Sequence, residues 1–231
     1  MKLLKAHRLL SYAQLIVFAS AVMLPLQPAA AANEQQELVA KAEATFNHFR
    51  HDPNMRWFRD NIGKAKAVLI APEIVKAGFI LGGSGGRAVL LARDPKTGEW
   101  RGPAFYSMFT PSVGLQAGIA VSEVVTLVMT DKALNGLLAT SLKMGGDVSI
   151  AAGPVGEGAA ANVDADMIAY VRSKGIYGGV SLSGTAVKTS DEWNEAFYSQ
   201  PDVLPPDILI RGTAVSAGGE KLRGMLTAAT R

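Results

Sequence analysis

The sequence contains no cysteine. That excludes disulfides, thiolate metal sites, a cysteine nucleophile and a lipoprotein-type acylated cysteine. Aromatic residues make up only 7% of the chain, so aliphatic side chains, alanine and glycine must fill any core. Histidine is scarce: His7, His48 and His51 are the three present. Net charge is also lacking where it would matter. The formal +3 comes from Lys2, Lys5 and Arg8, and from Asn33 onward 20 basic residues face 20 acidic ones. A nucleic-acid-binding domain carries a basic excess, so nucleic acid is not an expected partner.

What is present fits one domain behind an N-terminal segment. The 231 residues are 48% hydrophobic, enough for a sizeable core. Residues 1–32 have the three parts of a secretory signal: a basic start, an apolar stretch from Leu9 to Leu26, and Ala30-Ala31-Ala32 as an A-x-A site. Cleavage is expected before Asn33, leaving 33–231 as a single domain outside the cytoplasm, in a bacterial periplasm or secreted. The alternative is an uncleaved anchor, because the apolar stretch is long for a signal; Ser11, Tyr12, Gln14 and Pro25 interrupt it.

The centre of the chain is the stretch from Lys64 to Asp94. It holds three strand-length apolar runs, Ala67–Ala71, Ala77–Leu81 and Ala88–Ala92. Pro72, which cannot donate to a ladder, is expected to close the first. The cluster Gly82, Gly83, Gly85 and Gly86 is expected to form the tight connection before the third. Upstream, Glu34–Phe49 reads as an amphipathic helix with Leu38, Ala42, Phe46 and Phe49 on one face. Asp52-Pro53 reads as the cap of a second short helix ending near Gly63. Downstream, Pro111 separates strands Phe105–Phe109 and Val113–Val121. In the latter, Val113, Leu115, Ala117, Ile119 and Val121 alternate with small or polar residues, predicting one face packed on a core. A helix is expected over Asp131–Leu142, short strands over Val148–Ala152, Met167–Val171, Gly175–Leu182 and Thr185–Val187, a loop over Gly156–Asn162, and helices over Thr189–Tyr198 and Glu220–Ala229. There is no βαβ alternation. The fold class is therefore α+β, a mainly antiparallel sheet or partial barrel with N-terminal, internal and C-terminal helices.

Chemistry-bearing patterns are few. Gly82-Gly83-Ser84-Gly85-Gly86 matches G-x-S-x-G formally, but every histidine precedes Ser84 and the following run is short for the required helix. The cluster lacks the Lys-Ser/Thr of a phosphate loop. His48 and His51, with Asp52, make an incomplete metal set. Asp164 and Asp166 read as a solvated turn. No catalytic residue, metal or cofactor is assigned. The best surface candidate is 46–66, where Arg50, Arg56, Arg59, Lys64 and Lys66 interleave with Phe49, Trp57 and Phe58. Cations for phosphates and rings for the acyl boundary are what an interfacial segment needs. The alternative is two helices packing their apolar faces on the sheet and exposing ordinary charges.

Seven segments, six of them containing glycine, occur in a recognisable order: KAKAVLIAPEIVKAGFILGGSGGRAVLLAR, GEWRGPAFYSM, GLQAGIAVSEVVTLVM, KMGGDVSIAAGPVG, GIYGGVSLSGTAV, NEAFY and ILIRG. The set resembles the SYLF domain family, found in bacterial secreted proteins, yeast actin-patch proteins and animal phosphoinositide-binding proteins. The resemblance covers roughly Gln35 to Ala228. It implies a non-enzymatic lipid-binding domain acting through its N-terminal amphipathic part, here Arg50, Arg56, Trp57, Phe58, Arg59, Lys64 and Lys66. For an exported chain the expected ligand is anionic phospholipid at a membrane surface, and actin is not expected. The rival readings are a structural envelope protein with a protein partner, and an esterase using Ser84.

Overall fold

The computed structural model describes residues 28–78, 81–113, 118–156, 163–173, 176–177 and 182–230. Residues 1–27 of the expected signal (1–32), 79–80 of the expected run Ala77–Leu81, most of the expected loop Gly156–Asn162 and most of the expected strand Gly175–Leu182 lie outside these. Helix α1 (Pro28–His51) begins ahead of the expected cleavage point. Its buried face carries Leu38, Val39, Ala42, Phe46 and Phe49, the helical spacing read from the sequence. Asp52 caps the next turn, its carboxylate accepting from the Asn54 amide at 2.8 Å, with Pro53 at the first helical position. Helix α2 (Arg56–Asn61) follows, and a short turn over Ile62–Lys64 leads into the sheet.

The fold is α+β, an open half-barrel. The strands are β1 (Ala67–Gly78), β2 (Leu81–Arg93), β3 (Trp100–Val113), β4 (Gly118–Val128), β5 (Ser141–Lys143), β6 (Ile150–Ala152), β7 (Met167–Ser173), β8 (Ile176–Tyr177) and β9 (Ala186–Thr189). They run in the order β5-β9-β3-β2-β1-β4-β7-β6, with β8 beside β7. Of these pairings only β6–β7 is parallel. The order β4-β1-β2-β3 is a Greek key.

Three sequence expectations are corrected here. The first apolar run and the start of the second, Ala77 and Gly78, belong to one strand with Pro72 inside it, while Leu81 opens β2. Register shifts between Ala71 and Ile74 toward β4, and between Ile70 and Val75 toward β2, mark a β-bulge. A bulge takes residues out of the ladder, so proline's missing N–H costs nothing there. The glycine cluster is not a turn but the first half of β2, paired with 75–78 and 108–112. Pro111 likewise sits inside β3, opposite Gly83; of the expected strand Val113–Val121, Val113 ends β3 and 118–121 begin β4, and 114–117 lie outside the described residues.

Residues at paired register positions share a face, so the sheet's two faces can be followed across the strands. One face carries Leu69, Leu90, Tyr106, Val128 and Met167. Helix α3 (Asp131–Leu138) and the turns around Ile208 and Leu209 cover it. The other carries Val68, Ile70, Val89, Leu91, Phe105, Val125, Ile168 and Tyr170, under α1, α2 and α5 (Glu220–Ala229). Helix α4 (Asp191–Tyr198) packs Trp193 and Phe197 against Phe105. Helix α3 is shorter than the sequence suggested. Thr130 caps it through the Ala133 amide, but Ala139 turns extended and Leu142 enters the core from β5 instead.

Asp166 is more than a solvated turn. Its carboxylate accepts from the Thr130 hydroxyl at 2.7 Å and from the Ser149 amide and hydroxyl at 2.9 Å, tying the α3 cap to the start of β6. These bonds hold its pKa down, to about 2 from 3.8, led by the Thr130 hydroxyl. A carboxylate depressed in the folded state adds stability that is complete above the unfolded value and lost as pH falls through the folded one. The urea midpoint should therefore fall between about pH 4 and pH 2, and Asp166→Asn should flatten that slope relative to wild type.

Candidate functional site

The basic, aromatic segment around α2 divides into three kinds of residue. Arg56 and Lys64 face outward. The Arg56 side chain is 82% exposed, and its Nε lies 3.6 Å from Asp60 one turn on. Lys64 donates to Asn61 Oδ1 at 2.8 Å and is exposed. Arg50 and Trp57 are half-buried, with Trp57 lying 6.4 Å from the Tyr170 ring.

The other three are committed to the fold. Arg59 fastens the chain's own turn, its guanidinium donating to the carbonyls of Arg50, Asp52 and Pro53. Lys66 pairs with Asp131 at 2.9 Å, holding the entrance of β1 against α3. Phe58 is fully buried. Its ring meets Tyr170 edge-on at 5.3 Å and lies 6.2 Å from Phe46. The expectation that Phe58 meets a surface is corrected: an amphipathic element this short has one apolar face, and the sheet takes it.

Next to this segment α1 is pinned to the sheet by Glu123 of β4. Its carboxylate takes His48 Nδ1 at 2.9 Å, the Thr45 hydroxyl at 3.2 Å and Arg172 Nε of β7 at 2.9 Å. His48 is thus a hydrogen-bonding partner of Glu123, while His51 bonds the Asn47 carbonyl of its own helix. Among the described residues no group of three or more His, Asp or Glu could hold a metal ion. Ser84 lies mid-strand in β2, opposite Lys76 and Thr110. A nucleophile elbow requires a strand-to-helix turn, so the G-x-S-x-G match has no catalytic geometry.

The structure also presents an outward apolar surface, which includes Ile119 and Val121, two residues of the alternation expected to pack on a core. Val75, Phe109, Ile119 and Val121 are 45%, 57%, 75% and 46% exposed. Val75 is paired with Val121 and Gly85, and Gly85 with Phe109; Ala77 is paired with Ile119 and Gly83, and Gly83 with Pro111. These two adjacent rows share the α1-covered face of the sheet; the first borders an open hollow lined by Glu34, Glu37, Leu38 and Lys41 of α1 and by Trp193. The alternation at 119–121 was legible, but its apolar side faces outward rather than into a core. The opposite face of the same strands holds Ser84, Thr110 and Ser122, with Thr110 bonded to Thr185 and Ser122 to Ser173. Among the described residues no helix is long and apolar enough to cross a membrane.

Comparison with known proteins places this geometry. A family model described as Ysc84, Las17-binding protein actin regulator, matches residues 109–229. The human SH3 domain-containing YSC84-like protein 1 is 33% identical over 174 residues, covering 73% of this chain and 50% of that protein. LAS seventeen-binding protein 3 of Saccharomyces cerevisiae is 34% identical over 146 residues, covering 60% of this chain and 31% of that protein. The chain thus spans about half or less of the length of these relatives. With the family model matching more than half of the chain and the human relative covering 73% of it, the chain belongs to the Ysc84 family, whose domain is also called SYLF.

Proposed function

We propose that this chain is a non-enzymatic, exported envelope protein that docks on anionic phospholipid. The outward cations at α2, Arg56 and Lys64, meet headgroup phosphates, with Arg50 and the half-buried Trp57 beside them. Arg59 and Lys66 shape the segment from behind. The observation that carries this reading is the Arg56 side chain, which is 82% exposed next to an exposed Lys64. Family membership supports it, because lipid binding and actin regulation are the activities associated with Ysc84 proteins. Residues 1–32 supply the route out of the cytoplasm. That route sets phospholipid ahead of actin as the partner.

Each basic residue near an anionic surface contributes about 1 kcal/mol. The double variant Arg56→Glu/Lys64→Glu should therefore weaken binding to vesicles containing phosphatidylglycerol by roughly 30-fold or more, because each change also adds a repelled charge. Raised salt should weaken the wild type in the same direction. Co-sedimentation measures both. Equal pelleting by neutral and anionic vesicles, or no change in the double variant, would reject the reading. A pull-down partner in a chain with no vesicle affinity would favour the protein-binding alternative.

A further inference from the structure

A lipid surface is met by cations and by apolar groups that enter the acyl boundary. Segment α2 supplies the first but not the second: Phe58 is sealed in the core and Trp57 is half-buried. The apolar component lies instead on the sheet. Val75, Phe109, Ile119 and Val121, with Ala77 and Pro111, form two adjoining rows on one face of β1–β4. The other exposed large apolar residues, Val155, Leu204, Ile210 and Val215, lie in loops and in the turn over Asp207–Arg211, outside the strands. Monomeric proteins seldom leave a contiguous apolar face uncovered without a partner for it.

We propose that this outward end of the β1–β4 sheet is the surface that enters a phospholipid bilayer at its headgroup–acyl boundary. The proposal rests on the lipid-binding reading above and locates the inserting residues away from α2. Three observations select hydrocarbon as the occupant. Neither row contains a polar or charged side chain, and the sequence carries no charge from Ala77 to Gly86 or from Phe109 to Ser122. Strands β1 and β2 are paired on both sides, so their backbone groups are largely spent and offer little for a protein partner to bond. Protein interfaces rely on Tyr, Trp and Arg anchors with a hydrogen-bonded rim, and these rows hold neither. Hydrocarbon requires no hydrogen bonds from its partner, and a paired sheet satisfies its own.

Charge begins one row further in. Arg87 and Lys188 are both in register with Ser107 and are exposed. Arg87 lies 3.8 Å over the Trp193 ring and donates to Ser190 Oγ. On the α1 side this border is mixed in charge, since Glu34, Glu37, Lys41 and Glu73 line a hollow with Val75, Gly85 and Arg87, so insertion rests on the two apolar rows and not on a cationic collar.

The absence of cysteine makes the test clean. Ile119→Cys takes a single environment-sensitive fluorophore. With vesicles of phosphatidylcholine and phosphatidylglycerol its emission should shift to the blue and intensify; an unchanged spectrum overturns the proposal. In co-sedimentation, Phe109→Ser/Ile119→Asp should bind at least about tenfold more weakly with an unchanged urea midpoint, because both side chains are already exposed. If that variant pellets like wild type while Arg56→Glu/Lys64→Glu does not, the insertion surface is rejected and the lipid reading stands. If the wild type pellets with no vesicle, both fall. If the wild type is a dimer that Phe109→Ser/Ile119→Asp splits, with the fluorophore silent to vesicles, the face joins two copies and the proposal is overturned.

Discussion

Replacing Phe58 with alanine is expected to lower unfolding stability by about 3–5 kcal/mol, the range for a buried aromatic truncated to a methyl. The ring has no exposed surface and is the meeting point of three elements. It sits 6.2 Å from Phe46 and 6.4 Å from Phe49 of α1, and 5.3 Å from Tyr170 of β7. Each edge-on pair adds to the area buried. A well-packed three-way junction has little freedom to collapse into the space left behind. Arg56→Glu, two residues away and largely exposed, should stay within about 0.5 kcal/mol of wild type. Urea denaturation of the two variants therefore separates the packing role of this segment from its surface role. If Phe58→Ala kept its midpoint and lost only vesicle affinity, the ring would belong to the surface after all.

The second large effect is expected at Gly86. Alanine in a strand is normally favoured over glycine, because glycine loses more freedom on folding. Here a Cβ would overlap the carbonyl oxygen of Glu73 and press on Ile74 Cδ1. The obstacle is backbone, held by the bulge at Pro72, and cannot rotate away. Gly86→Ala should cost about 3 kcal/mol, the upper end for overpacking, and Gly86→Val more. Gly83 provides the contrast. A Cβ there would approach the Phe109 ring at 3.1 Å and the Thr110 carbonyl oxygen at 3.2 Å. Because Phe109 is exposed, its ring can yield, so Gly83→Ala should cost about 1 kcal/mol or less. Equal midpoints for Gly83→Ala and Gly86→Ala would contradict the close approach of β2 to the bulge.

These two sites show why the glycine cluster was misread from the sequence. Four glycines in five positions are a turn signal by local chemistry. Two strands passing at a bulge need glycine as well, for room rather than for a turn. Local composition cannot distinguish these needs, since the second depends on Glu73, a residue brought close only by strand pairing. Pro72 was misread in the same way. The missing N–H ends a regular ladder, yet a bulge makes that loss harmless.

The sequence by itself determined the α+β class, the cap at Asp52, the helical face of α1, and the family through its ordered segments. It also determined which strand residues share a face, because a period of two is a property of the backbone. Only the tertiary structure decided whether that face is covered. Helix α1 buries Val68 and Ile70 but leaves Val75 beside an open hollow and Ala77 exposed, so identical alternation yields core at one end and open apolar surface at the other. Packing likewise divided the basic, aromatic segment. Phe58 went to the core and Arg59 to its own backbone carbonyls, leaving Arg56 and Lys64 outward. The reason is that burial depends on where neighbouring elements pack, and no pattern within one element carries that information.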